Sequence, residues 1–289
     1  MSMNAPETMG VIYRLQMSQL HPHPQNPFSI RDDQAMLDLI QSVQSHGVLV
    51  PAIARPRPDG EYEIIAGHRR KHASELAGLD FMPVVVLDLN DDEAIIQLVD
   101  SNIQRENILP SERAKAYKMR MEAMKRQGAR TDLTSPNISA KFRSDDELGQ
   151  KIGVSGDTIR NYASLTNLVP GLMQMVDEGR IKLSPAYQIA ALPHNEQSLL
   201  LDTIESEQAT PSLSQAQRMK RLSQNGELNE DVLLEIMMEQ KKPVRNDITL
   251  SGEKLRKYFP KSYSPIQMEN VIFKLLEAWQ RKRQRDQSR

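Results

Sequence analysis

Apolar residues recur along this chain in two rhythms, and the change from one to the other falls near Asn90. In "RDDQAMLDLIQSVQSHG" the residues Met36, Leu37, Ile40 and Val43 share one helical face. Asp32 and Asp33 stand at its favourable amino end and Gly47 closes it. "VLVPAIARPRPDGEYEIIAG" holds two apolar runs around Pro58, Asp59 and Gly60, the signature of a β-hairpin. An alanine-containing helix is predicted between Gly67 and Gly78, and the valines of "MPVVVLDL" then suit a buried strand. The first third therefore reads as mixed α and β.

Beyond Asn90 only the helical rhythm persists. Asn90 and Glu93 form a capping box ahead of Ile95, Ile96 and Val99. "SERAKAYKMRMEAMKRQG" predicts a second helix, capped at Ser111 and ending near Gly128, and the polar stretch from Ala129 to Arg143 predicts a surface loop. Helices continue to about Gln240 with breaks at Pro170, Pro193, Pro211 and Gly226. "KKPVRNDITLSGEK" then reads as a linker. The last helix carries Met268, Ile272, Leu275, Leu276 and Trp279 on one stripe and ends in "RKRQRDQSR". Such a stripe packs on a partner helix, a second copy included, or docks within the chain. The basic end suits nonspecific contacts with DNA. The expected architecture is an α+β N-terminal domain over residues 1–110, an all-α domain over 111–210, and a helical C-terminal region over 211–289 with a linker and an oligomerisation helix.

Composition narrows the chemistry. Basic residues number 37 and acidic ones 38, so attraction to nucleic acid has to come from local patches. Without cysteine there is no disulfide, thiolate metal site or cysteine nucleophile. No apolar run approaches the roughly 20 residues a membrane-spanning helix needs, and "MSMNAPETMG" has no leader pattern. A soluble cytoplasmic protein that stays off membranes is expected.

Four motifs carry candidate chemistry. In "SDDELGQKIGVSGDTIRNYASLT", Ser144 and Glu147 make a capping box, Gly153 permits a tight turn, and Ser155 caps a second helix that turns Ile159 and Leu165 inward. This is a helix-turn-helix pattern, or else a plain helical hairpin. In the first case the outward residues Ser155, Asp157, Thr158, Arg160 and Asn161 face base edges, Arg160 suited to guanine and Asn161 to adenine. Arg113, Lys115, Lys118, Arg120, Lys125, Arg126, Arg130, Lys141 and Arg143 are candidate phosphate contacts. Gly67, His68, Arg69 and Arg70 stand where a strand hands over to a helix amino end, a place that favours anions. Asn102 and Arg105, three apart on a helix, can share a site, with Asp100 or Glu106 as an oxygen ligand for a hard cation. "HPHPQNP" holds His21 and His23 in an extended segment with no third metal ligand.

The order of these motifs resembles the ParB family of DNA partition proteins, particularly members carried on plasmids and mobile elements. The resemblance runs from about Tyr13 to Leu192 through "SVQSHGVLVPAIARP", "YEIIAGHRRKHASELAGL", "PVVVLDL", "NIQRENILPSERAKAY", the helix-turn-helix and "LVPGLMQMVDEGRIKLSPAYQIAAL". It implies that the N-terminal domain binds cytidine triphosphate (CTP) with magnesium. Gly67, His68, Arg69, Arg70 and Arg105 would then lie at the phosphates, Asn102 at metal or phosphate, and Gly47, Val48, Leu49 and Pro51 beside the base. It further implies a homodimeric clamp on double-stranded DNA with a centromere-like site, slow CTP hydrolysis, no assigned catalytic residue, and a ParA-type ATPase partner. The alternative is a helix-turn-helix transcriptional regulator, or a nucleoid-occlusion-like DNA binder, without CTP turnover. Two departures stand out: Ser101 occupies the place where the family often has Glu, with Asp100 one residue earlier, and Pro27 is followed by Phe28 rather than Arg. A hydroxyl is a poorer magnesium ligand than a carboxylate.

Overall fold

The computed structural model describes residues 11–105, 108–131, 153–239, 255, 257–260 and 262–287. By its contacts the chain divides into two compact units, residues 1–239 and 240–289.

The first unit opens on a five-stranded sheet: β1 (Ile12–Gln16), β2 (Leu20–Pro22), β3 (Ala52–Pro56), β4 (Tyr62–Ala66) and β5 (Phe81–Val86), in the order β1-β5-β3-β4-β2. The hairpin expected around Asp59 pairs β3 antiparallel to β4, with Arg55 opposite Glu63 and Pro56 opposite Tyr62. β5 runs parallel to β3 and antiparallel to β1, and β2 parallel to β4. The apolar run of β4 has a simple cause, because both of its faces are covered. Ile64 belongs to a core with Leu20, Ala52, Ala54, Met82 and Val84, whereas Ile65 packs with Phe28, Ala94, Leu98, Val99, Tyr117 and Ile159. β5 alternates instead: Met82 and Val84 are fully buried and the valines after them only half so.

Two helices flank the sheet on the side of the first core. α1 (Gln34–His46) is capped by Asp33, which accepts from the Met36 amide, and α2 (His68–Leu76) packs on it through Met36, Val43 and Ala73. α3 (Asp91–Asn102) starts on the Asn90–Glu93 capping box read from sequence, whose loss would cost about 1 kcal/mol. α4 (Pro110–Thr131) corrects two sequence boundaries. Pro110 is its first residue, where a missing amide costs nothing, and the Ser111 amide is satisfied by Asp177 at 2.9 Å. The helix also runs through Gly128, because one interior glycine costs only about 1 kcal/mol among good helix formers.

α5 (Gly156–Ser164) is the second helix of the expected helix-turn-helix; the first, with Ser144 and Glu147, lies outside the described residues. Ser155 caps α5 and Ile159 and Leu165 are fully buried, as the sequence indicated. Five further helices follow: α6 (Pro170–Asp177), α7 (Leu183–Ile189), α8 (His194–Glu207), α9 (Leu213–Gln224) and α10 (Glu230–Met238). They share one core, from Leu165 through Leu200 and Met219 to Met237, which Ala114 of α4 joins. The helices on either side of residue 210 are therefore parts of one packed body. In the second unit α11 (Pro265–Gln287) is the main element, with Leu275, Leu276 and Trp279 exposed and Met268 buried.

Candidate functional site

The site is built where β4 turns into α2. Gly67 makes that turn with a φ of 107°, and a Cβ there would stand 2.8 Å from the Cβ of Ala52. Only glycine brings the helix amino end this close to β3. The next residues meet unlike partners. Arg69 Nη2 pairs with Asp33 Oδ1 at 3.0 Å, and the Arg69 hydrogen bond holds the Asp33 carboxyl below its usual range. Arg70 meets no carboxylate; its Nη1 donates to the carbonyls of Val50 at 2.5 Å and Pro51 at 2.6 Å. These bonds tie the segment after Gly47 to the arginines. Within it Val48 packs against the cores on either side, while Leu49 is 74% exposed.

Arg105, beyond the end of α3, makes no ion pair or side-chain hydrogen bond among the described residues. It is exposed to solvent, yet desolvation at its guanidinium pushes its pKa down, and the charges of Arg69 and Arg70 add to that against Glu112. Arg69 and Arg70 thus act on Arg105 from a separate stretch of sequence. His68 is 6% exposed, its Nε2 is buried with no hydrogen-bond partner, and its pKa is pushed down to about 4 by burial first, then by Arg105, His23 and Lys71. A buried nitrogen without a partner is costly and usually marks a functional place. Half-compensated guanidiniums, an orphaned imidazole and a helix amino end together fit an anion with several oxygens.

The same residues do not fit a magnesium ion held by the protein. Asp100 grips Arg120 through both oxygens, at 2.6 and 3.2 Å, and Arg120 is itself buried. Asn102 is buried and its amide donates to the Leu98 carbonyl at 2.8 Å and to Ser101 Oγ at 3.1 Å; Ser101 Oγ donates back to Leu98 at 3.0 Å. Among the described residues no three His, Asp or Glu side chains converge as metal ligands, and Glu106 lies outside them. Hard cations want several oxygens, and Asn102 offers one.

On α5 the side chains of Ser155, Asp157 and Asn161 are exposed, and those of Thr158 and Arg160 half so. Ser155 and Thr158 bond to each other at 2.9 Å and Arg160 pairs with Asp157 at 2.6 Å, so the polar face is held in place by its own members. Three of the expected phosphate contacts have structural work instead. Arg113 lies over the Tyr162 ring, Arg120 is buried on Asp100, and Arg126 pairs with Asp92 at 2.7 Å. Lys115, Lys118 and Lys125 are exposed, while Lys141 and Arg143 lie outside the described residues.

Sequence reasoning missed a polar cleft of about 540 Å³ between the sheet and α3, lined by His23, Arg55, Glu63, Asp91, Asp92 and Arg126. Arg55 pairs with Glu63 at 2.6 Å and Asp91 at 2.7 Å, and His23 lies 3.9 Å from Glu63. His21 meets Glu61 instead, so the two histidines of "HPHPQNP" face different carboxylates. The cross-strand pairing of residues 55 and 63 is the one signal that the hairpin register could have supplied.

Comparison with known proteins agrees with this architecture. Residues 1–103 match the family model of the ParB N-terminal domain and residues 137–211 that of the ParB HTH domain. The chromosome-partitioning protein Spo0J of Thermus thermophilus is 30% identical over 187 residues, which cover 65% of this chain and 62% of that protein. Stage 0 sporulation protein J of Bacillus subtilis is 29% identical over 252 residues, 86% of this chain and 79% of that one. The crystal structure of C-terminally truncated ParB from Caulobacter crescentus complexed to the centromeric parS site aligns with a TM-score of 0.45 at 25% identity, over 74% of this chain and 99% of that chain. The chain spans less than two thirds of the length of its Thermus relative. With both models matched in order on a sheet domain followed by a helix-turn-helix body, the chain belongs to the ParB family of partition proteins.

Proposed function

We propose that this chain is a DNA-segregation protein that recognises a duplex site through α5 and is switched by a nucleoside triphosphate, CTP in the family it belongs to, held at the amino end of α2. The observation that carries the nucleotide part is the charge pattern around Gly67: Arg70 and Arg105 have no carboxylate partner and His68 Nε2 has no partner at all. A triphosphate satisfies all three at once. Val48 and the exposed Leu49 offer an apolar edge for the base. Charge on the phosphates is met by guanidiniums and helix amides, and no metal ion is given a part. Turnover is expected to be slow, since Asp100 is engaged by Arg120 and Ser101 is no carboxylate.

DNA recognition rests on the exposed polar face of α5, with Lys115, Lys118 and Lys125 of α4 as candidate phosphate contacts. The exposed stripe of Leu275, Leu276 and Trp279 on α11 supports a homodimer, and a dimer supplies two recognition helices for a two-fold site. Movement of the bound DNA would fall to a ParA-type ATPase. The replicon served is a plasmid or mobile element on the sequence resemblance, and a chromosome on the names of its relatives.

Calorimetry with CTP, ATP, GTP and UTP tests the first part: saturable binding with preference for CTP is expected, and no binding by any of them would sink it. Sequencing the DNA that co-purifies with the protein, with and without CTP, tests the second. A common site lost in Asn161→Ala is expected, and fragments without a common sequence would overturn specific recognition.

A further inference from the structure

We propose that His68 takes up a proton as the phosphate-bearing ligand enters the Arg69–Arg70–Arg105 cluster, so that ligand affinity rises as pH falls. The inference rests on the anion reading of this site and adds a regulation that the reading alone does not contain.

Geometry makes the case. His68 is the first residue of α2, directly after the left-handed Gly67, and its ring is enclosed by protein. Nε2 is sealed from solvent and bonded to nothing, so it has neither an acceptor that would hold a proton there nor a donor that would fill its lone pair. The groups that act on the ring are Arg105 from the segment after α3, His23 from the segment after β2, and Lys71 from its own helix, and all of them oppose a positive charge. The carboxylates that act on these neighbours are engaged with them: Glu63 on His23, Asp33 on Arg69, Glu75 on Lys71, and Glu112 on Arg105. In the free protein the imidazole is therefore neutral throughout the physiological range.

A polyphosphate reverses that field. It neutralises the Arg105 guanidinium, which opposes a proton on the ring, and brings acceptor oxygens towards a ring that has none. Once the ligand displaces the cover over Nε2, the protonated nitrogen becomes a charge-assisted donor to it, which removes the orphaned atom. Since free His68 titrates only near pH 4 and bound His68 higher, uptake occurs between those limits. Over that window one proton makes affinity rise by up to about tenfold per unit of falling pH.

The test uses the full chain with two probes, CTP and inorganic triphosphate, titrated calorimetrically between pH 8 and pH 6 in buffers of different ionisation enthalpy. Proton uptake by the wild type should exceed that of His68→Gln by a large fraction of one proton, and the wild-type affinity should gain about tenfold on the variant across that range. The ligand's own titration is common to both proteins and cancels in the difference. Equal proton uptake and equal pH dependence in the two would overturn the proposal while leaving nucleotide binding intact. Failure of both probes to bind at any pH would overturn the nucleotide reading and this inference with it. Should the variant fail to fold, the ring-nitrogen resonances of His68 in the wild type decide: a shift from neutral to protonated on saturation at pH 6.5 is expected, and a ring that stays neutral would refute the idea.

Discussion

Two sets of arginines serve the N-terminal half of this protein, and they differ in what faces them. Arg55 and Arg126 line the polar cleft, each against a carboxylate within 2.7 Å. Arg70, at the amino end of α2, meets only carbonyls, and Arg105, beyond α3, makes no ion pair among the described residues. The first set is electrostatically closed and holds β3, β4, α3 and α4 together. The second is open, and a charge left open inside a fold costs stability unless something arrives to meet it. Sequence composition counts both sets alike, whereas the structure separates the arginines paired with carboxylates from those that are not.

The largest effect that tests this contrast comes from Arg55. Its partner Glu63 has a side chain only 10% exposed, while Asp91 is 90% exposed and adds little. Arg55→Ala should therefore cost about 3 kcal/mol, read from urea unfolding, because it strands a buried carboxylate. Arg70→Ala should cost about 1 kcal/mol for two carbonyl hydrogen bonds but lower CTP affinity by about thirtyfold or more. Equal destabilisation by the two substitutions would erase the distinction.

Acid offers a second probe of the open site. His68 is held near pKa 4 in the fold against an unfolded value of 6.5, so its contribution is fully present above pH 6.5 and is lost as pH falls towards 4. The loss is on the order of 3 kcal/mol. His23, lowered by its own burial, acts in the same direction. Urea unfolding at pH 7.5 and pH 4.5 should show a smaller acid loss in His68→Gln than in the wild type. A loss of equal size in both would show that His68 is not the source of the acid sensitivity.

Gly67→Ala belongs between the two sets, since Gly67 is what brings α2 against β3. The positive φ and the 2.8 Å approach to Ala52 predict a cost of about 1 to 2 kcal/mol. CTP affinity should fall with it, as the guanidiniums lose their alignment. Thermal melting and calorimetry on one sample check both, and unchanged affinity would show that the arginines are placed without the tight turn.

These contrasts also mark how far the sequence could be read. The capping box at Asn90, the hairpin around Asp59, the cap at Ser155 and the inward Ile159 and Leu165 are local features, fixed by residues three or four apart. So was the candidate anion site, because Gly67 to Arg70 is contiguous. What stayed hidden depends on pairs far apart in the chain: Arg69 with Asp33, Asp100 with Arg120, Ser29 with Glu112, and the whole cleft around Arg55. β1 was not legible either, since an edge strand with exposed Val11, Ile12 and Tyr13 lacks the burial alternation that marks a strand. Arg113, Arg120 and Arg126 show the same limit from the other side. A basic helix face is easy to see in sequence, but which of its charges are already spoken for is a tertiary fact.

The smallest difference sharpens the contrast within the closed set itself. Arg126 and Arg55 both line the cleft, yet Arg126 is 49% exposed, and its partner Asp92, itself buried, sits in the first turn of α3. There the helix dipole favours a carboxylate by several tenths of a kcal/mol, roughly 0.3–1, so Asp92 keeps part of its support when the arginine goes. Glu63 lies in a strand, where no such support exists. Arg126→Ala strands a buried carboxylate too, so it should cost about 2 kcal/mol, less than Arg55→Ala only by the dipole's share of up to about 1 kcal/mol. Double-mutant cycles measure the difference directly: Arg55→Ala with Glu63→Gln should give a coupling of about 2 kcal/mol or more, and Arg126→Ala with Asp92→Asn one smaller by up to about 1 kcal/mol. If the two couplings came out equal, pairing alone would set the stability of the cleft, and the place of each carboxylate in its helix or strand would count for nothing.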